Sequence, residues 1–331
     1  MNPYEELLNC GNLAIVDMAM KCEAVFSTHN KAYVGISGGA DSDVMLDLCE
    51  RVRQVQPIDI HYEFTNTGIE YQATKDHLAY LDDRYGVSIR IAPPDRTIPQ
   101  CVRKYGSPFM SKMVSHQISK LQRGGFRFED KPLPILKLEY PDVIESALKW
   151  WTNSYSKTVR GYTSYDIGRN KWLKEFMTEN PPTFAISEKC CNHAKKTPSH
   201  RSARVRGCDL NMVGVRRAEG GVRVNTDKCF TKGRDYDVYR PLNWLKNEDR
   251  AEYVRMFGIT HSDCYTKWGL VRTGCVGCPF NANVIEEMDL VEQYEPKVVR
   301  CARHVFSDSY EYTIKYREFR ARKEGRLSLD I

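Results

Sequence analysis

Apolar and polar positions alternate along this chain in two distinct rhythms. Residues 4–26 carry apolar positions at helical spacing and predict a helix. Ala32-Tyr33-Val34-Gly35-Ile36 is an apolar run too short for a helix and reads as a buried strand, followed by a helix over 41–53. Ile58-Asp59-Ile60-His61-Tyr62-Glu63-Phe64 has the period of two expected of the next strand. A helix over 70–85 and a third strand over 87–92 complete the series. Strands alternating with helices at this spacing imply βαβ units, hence an α/β class chain with a doubly wound parallel sheet.

Pro93-Pro94 interrupts the pattern. Residues 95–137 read as loops and short helices and predict an insertion. Helices are expected at 141–157, 169–179 and 246–257, and 283–322 is mostly helical and highly charged. Residues 210–216 read as a later strand of the same sheet. The most natural division lies near 240, with 1–240 a nucleotide-binding domain and 241–331 a mixed, cysteine-bearing helical part.

The turn after the first strand is Ser37-Gly38-Gly39-Ala40-Asp41-Ser42. A Ser/Gly turn between strand and helix exposes backbone N–H groups at a positive helix end, which is a phosphate cradle. Asp41 would repel a phosphate unless a divalent cation such as Mg2+ bridged the two. The pattern lacks the Gly-Lys-Ser/Thr of a P-loop and is not GxGxxG. A plain N-capped helix after a glycine turn is the alternative use of the same residues. Ligands of parallel sheets bind beyond the carboxyl ends of the strands. The turn Thr65-Asn66-Thr67-Gly68 falls at the same edge, so Thr67 and Gly68 are further candidates.

Composition narrows the setting. Net charge is +6, which mildly favours anionic ligands. No apolar stretch approaches the length of a membrane span, and the first residues show no secretory pattern, so a cytoplasmic protein without a membrane partner is expected. Twelve cysteines are many for a reducing compartment, and some are expected to bind metal or do chemistry. Cys190-Cys191 and Cys275-x-x-Cys278 form two pairs. Four thiolates suit zinc or an iron–sulfur cluster. Cys10, Cys22, Cys49 and Cys101 fall in helical or apolar settings and read as buried small residues, whereas Cys208, Cys229 or Cys264 are competitors for a place among the four. Lys189, Lys195, Lys196, Arg201, Arg204 and Arg206 surround the Cys-Cys pair, and Arg216 and Arg217 end the strand over 210–216 at the ligand-binding edge. Arginine suits bidentate recognition of sulfate or phosphate, and a solvated basic loop is the plainer use of the others.

The SGGxDS turn resembles the PP-loop of the N-type ATP pyrophosphatases and the phosphoadenosine phosphosulfate (PAPS) reductase superfamily, a HUP-like fold. Cys-Cys, a long gap and Cys-x-x-Cys resemble the 4Fe–4S motif of the adenosine phosphosulfate (APS) reductases. Phe64-Thr65-Asn66-Thr67-Gly68-Ile69-Glu70-Tyr71 is similar to that family's F-x-D-T-G-x-E-F, with Asn66 for its Asp. Gly214-Val215-Arg216-Arg217-Ala218-Glu219 is similar to its G-I-R-x-x-E, and the stretch from Tyr239-Arg240-Pro241 to Cys278 to its P-I-x-x-W … G-C-x-x-C-P. The resemblance runs in order from about residue 30 to 280. It implies an adenine nucleotide held by Ser37, Gly38, Gly39, Asp41, Ser42, Thr67 and Gly68, with Asp41 holding Mg2+, Arg216 and Arg217 on the sulfate or phosphate, and Lys196 near the cluster. It also implies a cluster on Cys190, Cys191, Cys275 and Cys278.

Two departures from the reductases matter. They typically have an altered loop, whereas this one is complete. They carry a nucleophilic cysteine in a C-terminal tail, whereas no cysteine follows Cys301 in this sequence. An intact loop with a cluster is more similar to the enzymes of DNA phosphorothioation and the cluster-bearing tRNA thiolases. The expectation is ATP-dependent, pyrophosphate-releasing sulfur transfer, with a sulfur donor or thioredoxin-like reductant and nucleic acid as one candidate acceptor. A sulfonucleotide reductase yielding sulfite, and a non-catalytic nucleotide-binding partner subunit, are the alternatives.

Overall fold

A computed structural model describes residues 2–155 and 161–326. The chain divides into two compact units, one of Met1–Asp95 and Ala194–Cys275, the other of Arg96–His193 and Val276–Ile331. Position 240 lies inside the first.

The first unit holds a six-stranded sheet of order β3-β2-β1-β4-β6-β5. Its strands are β1 (Lys31–Gly35), β2 (Asp59–Thr65), β3 (Arg90–Ala92), β4 (Leu210–Met212), β5 (Phe230–Thr231) and β6 (Asp237–Tyr239). All pairs are parallel except β5 with β6. β1 is flanked on both sides, and its centre Ala32, Tyr33 and Val34 is buried, as a central parallel strand requires. In β2, Tyr62 and Phe64 enter the main core with Val44, Leu48 and Leu78. On the other face Glu63 accepts hydrogen bonds from Tyr33 (3.2 Å) and Ser202 (2.7 Å).

The order reverses at β1, with β2 on one side and β4 on the other. The turn after β1 therefore opens into the crevice at a topological switch point, where ligands of such sheets bind.

Several expected elements differ in extent. The helix expected over 4–26 is two, Pro3–Leu8 and Leu13–Phe26, because Gly11 takes φ +80° between them and Asn12 caps the second. The strand expected over 210–216 stops at Met212, and the one over 87–92 begins at Arg90. The helices expected over 141–157 and 169–179 shrink to Glu145–Trp151 and Leu173–Glu179, and 156–157 lie outside the described residues. β5 and β6 are too short to leave a periodic signature.

The second unit is helical. Its core joins Phe109, Trp150, Trp151 and Phe176 to Tyr312, Tyr316 and Phe319. Phe176 contacts the rings of Tyr312, Tyr316 and Phe319 at 4.9, 5.2 and 5.5 Å. The expected insertion is the helices Ile98–Tyr105, Lys112–Arg123 and Leu133–Glu139, and the terminal helical stretch is three helices, Val284–Glu292, Pro296–Val305 and Ser307–Lys323. Among the described residues no helix is long and apolar enough to cross a membrane.

Candidate functional site

The turn after β1 leads into the helix Ala40–Arg53. Gly38 has φ +66°, a backbone region costly for any residue with a Cβ. A Cβ there would also lie 2.6 Å from Thr74 Cγ2, on the neighbouring helix Gln72–Tyr85. Gly39 starts the helix in extended conformation. The Ser42 hydroxyl closes the turn: it donates to the Gly39 carbonyl (2.7 Å) and accepts from the Gly39 amide (3.1 Å). Ser37 Oγ lies 3.3 Å from Ser42 Oγ. Ser37, Gly38, Gly39 and Ser42 thus form one tight turn at a positive helix end.

Asp41 stands in the first turn of that helix and is met by two guanidinium groups on Oδ1, Arg216 Nε at 2.9 Å and Arg250 at 3.2 Å. Arg216 is buried and also donates to the Leu245 carbonyl and to Asn247 Oδ1. More positive charge gathers here than one carboxylate balances. Arg223 pairs with Glu219, yet burial and the nearby Arg272 and Arg216 hold its guanidinium below the ordinary arginine value, with Asp41 opposing. Arg217, expected beside the anion, instead lies 4.8 Å over the exposed Trp244 ring and 3.7 Å from Asp227. Arg223, Arg250 and Arg272 were not found from sequence: each is one basic residue among many, and only folding gathers them.

At the end of β2, Thr67 is fully buried and its hydroxyl donates to Glu70 at 2.5 Å. Cys275 Sγ lies 3.5 Å from Thr67 Oγ1. Gly68 takes φ +85° and its amide donates to Asn66 Oδ1, so Asn66 shapes the turn.

Tyr265 and Thr273 are a further pair that periodicity did not reveal. Tyr265 OH accepts from the Ala40 amide (3.2 Å) and from the Thr273 amide (3.0 Å). Thr273 Oγ1 lies 3.2 Å from that hydroxyl. The chain before this segment is anchored by His261, whose Nδ1 lies 2.7 Å from Asp43 Oδ2. Asp43 is fully buried, and His77 Nε2 approaches its other oxygen at 3.0 Å.

The proposed metal thiols fall in both units. Cys275 belongs to the first, and Cys190, Cys191 and Cys278 to the second. Cys190 is buried, and Cys191 leads directly into a π-turn, Asn192–Lys196. Gly277, between Cys275 and Cys278, has φ +63°, and its carbonyl accepts from Tyr310 OH. Among the described residues no group of three or more His, Cys, Asp or Glu side chains is arranged as a metal site. Lys196 is exposed at the end of the π-turn, and neighbouring Lys195 lies 4.0 Å from Glu70. In the second unit the Tyr105 and His193 rings stack at 4.9 Å, with the Lys104 and Lys189 ammonium groups 5.5 and 5.1 Å from the Tyr105 centroid.

Of the remaining thiols, Cys22 and Cys49 are core residues, and burial pushes both thiols up. Cys101 is buried, and burial pushes its thiol up, with neighbouring Cys191 acting in the same direction. Cys264 is buried 3.9 Å from Thr74 Oγ1. Cys301 is exposed on the helix Pro296–Val305.

Residues 31–123 match the family model of the phosphoadenosine phosphosulfate reductase domain. No curated protein matches the chain in sequence. Similar solved structures include the phosphoadenylyl-sulfate reductase of Candida auris in its phosphate complex, at 12% identity and TM-score 0.39, covering 80% of this chain and 84% of that one. The U34-tRNA thiolase NcsA of Methanococcus maripaludis with its 4Fe–4S cluster matches at 14% identity and TM-score 0.39, covering 93% and 82%. The ammonia-dependent NAD synthetase of Campylobacter jejuni matches at 10% identity and TM-score 0.36, covering 89% and 95%.

Proposed function

We propose that this chain is a PP-loop adenine nucleotide α-hydrolase that carries out ATP-dependent sulfur transfer with release of pyrophosphate, a reading that the match of residues 31–123 supports. The observation that carries the proposal is the tight turn Ser37–Ser42 with Arg216 and Arg250 both on the carboxylate of Asp41, and with Arg223, paired to Glu219, and Arg272 adding positive charge nearby. That excess of positive charge suits a polyphosphate better than a single phosphate.

In this reading the amides of Gly38 and Gly39 and the hydroxyls of Ser37 and Ser42 hold the phosphates, with Thr67 and Gly68 beside the nucleotide. Asp41, whose Oδ1 both arginines engage, is the residue that would hold magnesium, since a carboxylate fits a hard cation. Magnesium there would neutralise charge developing on the departing pyrophosphate. Arg216 orients Asp41 as well as supplying charge. An acceptor oxygen attacks the α-phosphorus, pyrophosphate leaves, and the adenylated oxygen is then displaced with AMP by sulfide from a donor. Lys196 and Arg217 would meet the acceptor or donor. Cys190, Cys191, Cys275 and Cys278 match the donor chemistry of a 4Fe–4S cluster, which would present sulfur for that second step. Zinc on the same four thiols is the competing occupant.

The family match over 31–123 favours a second reading, a sulfonucleotide reductase releasing sulfite. One experiment separates the two: anaerobic purification with iron and sulfide analysis, then assays on the same sample. About four irons per chain and pyrophosphate release from ATP with magnesium support sulfur transfer. Sulfite from APS or PAPS without any reaction of ATP selects the reductase, and stoichiometric zinc removes the cluster.

A further inference from the structure

We infer that Tyr265 is a built-in competitor for the phosphate cradle, released when a pyrophosphate-type anion binds. The inference rests on the loop's reading as a nucleotide site and says how that site selects and reports its ligand.

The Ala40 amide is the first helical N–H after the glycines, one of the orphan donors that make such a turn an anion site. Here it donates to Tyr265 OH at 3.2 Å. The same hydroxyl accepts from the Thr273 amide at 3.0 Å, and Thr273 Oγ1 lies 3.5 Å from the Gly38 carbonyl. A neutral phenol oxygen thus sits on the cradle where an anionic oxygen would otherwise accept. The charge-assisted bond to a phosphate oxygen is roughly twice as strong as the neutral one.

The segment carrying this hydroxyl is fixed as far as Leu270 and exposed immediately after it. His261 is tied to the buried Asp43, and Trp268 packs edge-on against Tyr71 at 5.6 Å. Beyond Trp268, Gly269 adopts φ +70° and Gly274 has open space where a Cβ would stand. Between those glycines Leu270 is buried and its amide donates to the Cys264 carbonyl at 2.9 Å, whereas Val271 is 87% exposed and Arg272 is exposed. Arg272 bears on Arg223, a repulsion that a polyanion between them would relieve. The next residue after Gly274 is Cys275, in contact with Thr67. Displacing Tyr265 therefore frees Thr273 two residues before the Cys-x-x-Cys turn, so occupancy of the loop is transmitted to Cys275. Ligands too weak to displace the hydroxyl, such as a lone monophosphate, leave the segment in place.

The test uses the full-length protein, purified anaerobically, with inorganic pyrophosphate, ATP–magnesium and AMP as probes. Removing the hydroxyl with Tyr265→Phe should tighten pyrophosphate and ATP binding by about two- to tenfold, the scale of one net neutral hydrogen bond. AMP should gain as well and lose its disadvantage relative to the wild type. In the wild type, pyrophosphate should speed amide hydrogen exchange across residues 269–275, and in the variant that stretch should exchange quickly without ligand. Thr273→Val keeps the phenol and is expected to tighten binding less. Weaker binding by Tyr265→Phe would make the hydroxyl a ligand contact and overturn the inference, as would exchange at 269–275 that ligand leaves unchanged. Pyrophosphate binding with the expected exchange but no binding of ATP keeps the competitor and removes the nucleotide reading. ATP binding with unchanged exchange does the reverse, and failure of both proteins to bind any probe removes both.

Discussion

Individual residues at the loop are constrained by backbone as much as by chemistry. Gly38 has a positive φ and no room for a Cβ beside Thr74. Gly38→Ala should cost about 1–2 kcal/mol from the left-handed backbone alone, and more from the clash. Chemical denaturation measures that loss, and nucleotide binding should fall with it. Pairing the change with Thr74→Ala should recover the steric part only, so a double variant as stable as the wild type would contradict this account. The motif Ser-Gly-Gly could be read from sequence because its residue types are few and local. The reason the second residue must be glycine lies 36 positions away in Thr74, beyond the reach of any local pattern.

At the scale of elements, Glu63 shows how a strand with a clear period of two conceals a polar staple. Its side chain is fully buried on β2 and is met by Tyr33 from β1, His61 from β2, Arg90 from β3 (3.0 Å) and Ser202 from the helix Thr197–Val205. Burial pushes this carboxyl up, but hydrogen bonds from Ser202, His61 and Tyr33 outweigh it and hold it below the usual glutamate range. A depressed value in the folded state contributes stability above the unfolded pKa of about 4.3 and loses it as pH falls through the folded value. The stability of the protein should therefore drop on acidification below about pH 4.3, and Glu63→Gln should flatten that limb while lowering stability at neutral pH. Unfolding midpoints across the acid range check this, and an unaltered acid limb in the variant would refute it. The short edge strands β5 and β6 illustrate the opposite case. Two and three residues cannot display a period, and they are strands only because β4 is there to pair with β6.

At the scale of the whole molecule the chain passes between its two units three times, after Asp95, His193 and Cys275. Each unit is consequently closed by distant segments. In the second, Phe176 joins the helix Leu173–Glu179 to the helix Ser307–Lys323 through three aromatic contacts. Phe176→Ala should destabilise that unit by about 3–5 kcal/mol. Thermal unfolding followed by circular dichroism should show an earlier transition, and an unchanged midpoint would mean this aromatic layer contributes little. Sequence by itself determined the α/β class, the first three strands and the turns after the first two, because hydrophobic period and glycine chemistry act over a few residues. It also marked the two cysteine pairs, since their spacing is local. Only the tertiary structure decided that Arg216 and Arg250 meet on Asp41, that Arg217 turns to Trp244 instead, and that Tyr265 rests on the Ala40 amide. Those contacts join residues more than 170 positions apart, apart from Arg217 and Trp244. Such pairs leave no mark on local spacing, because they come together only when strand pairing and core burial bring their elements side by side.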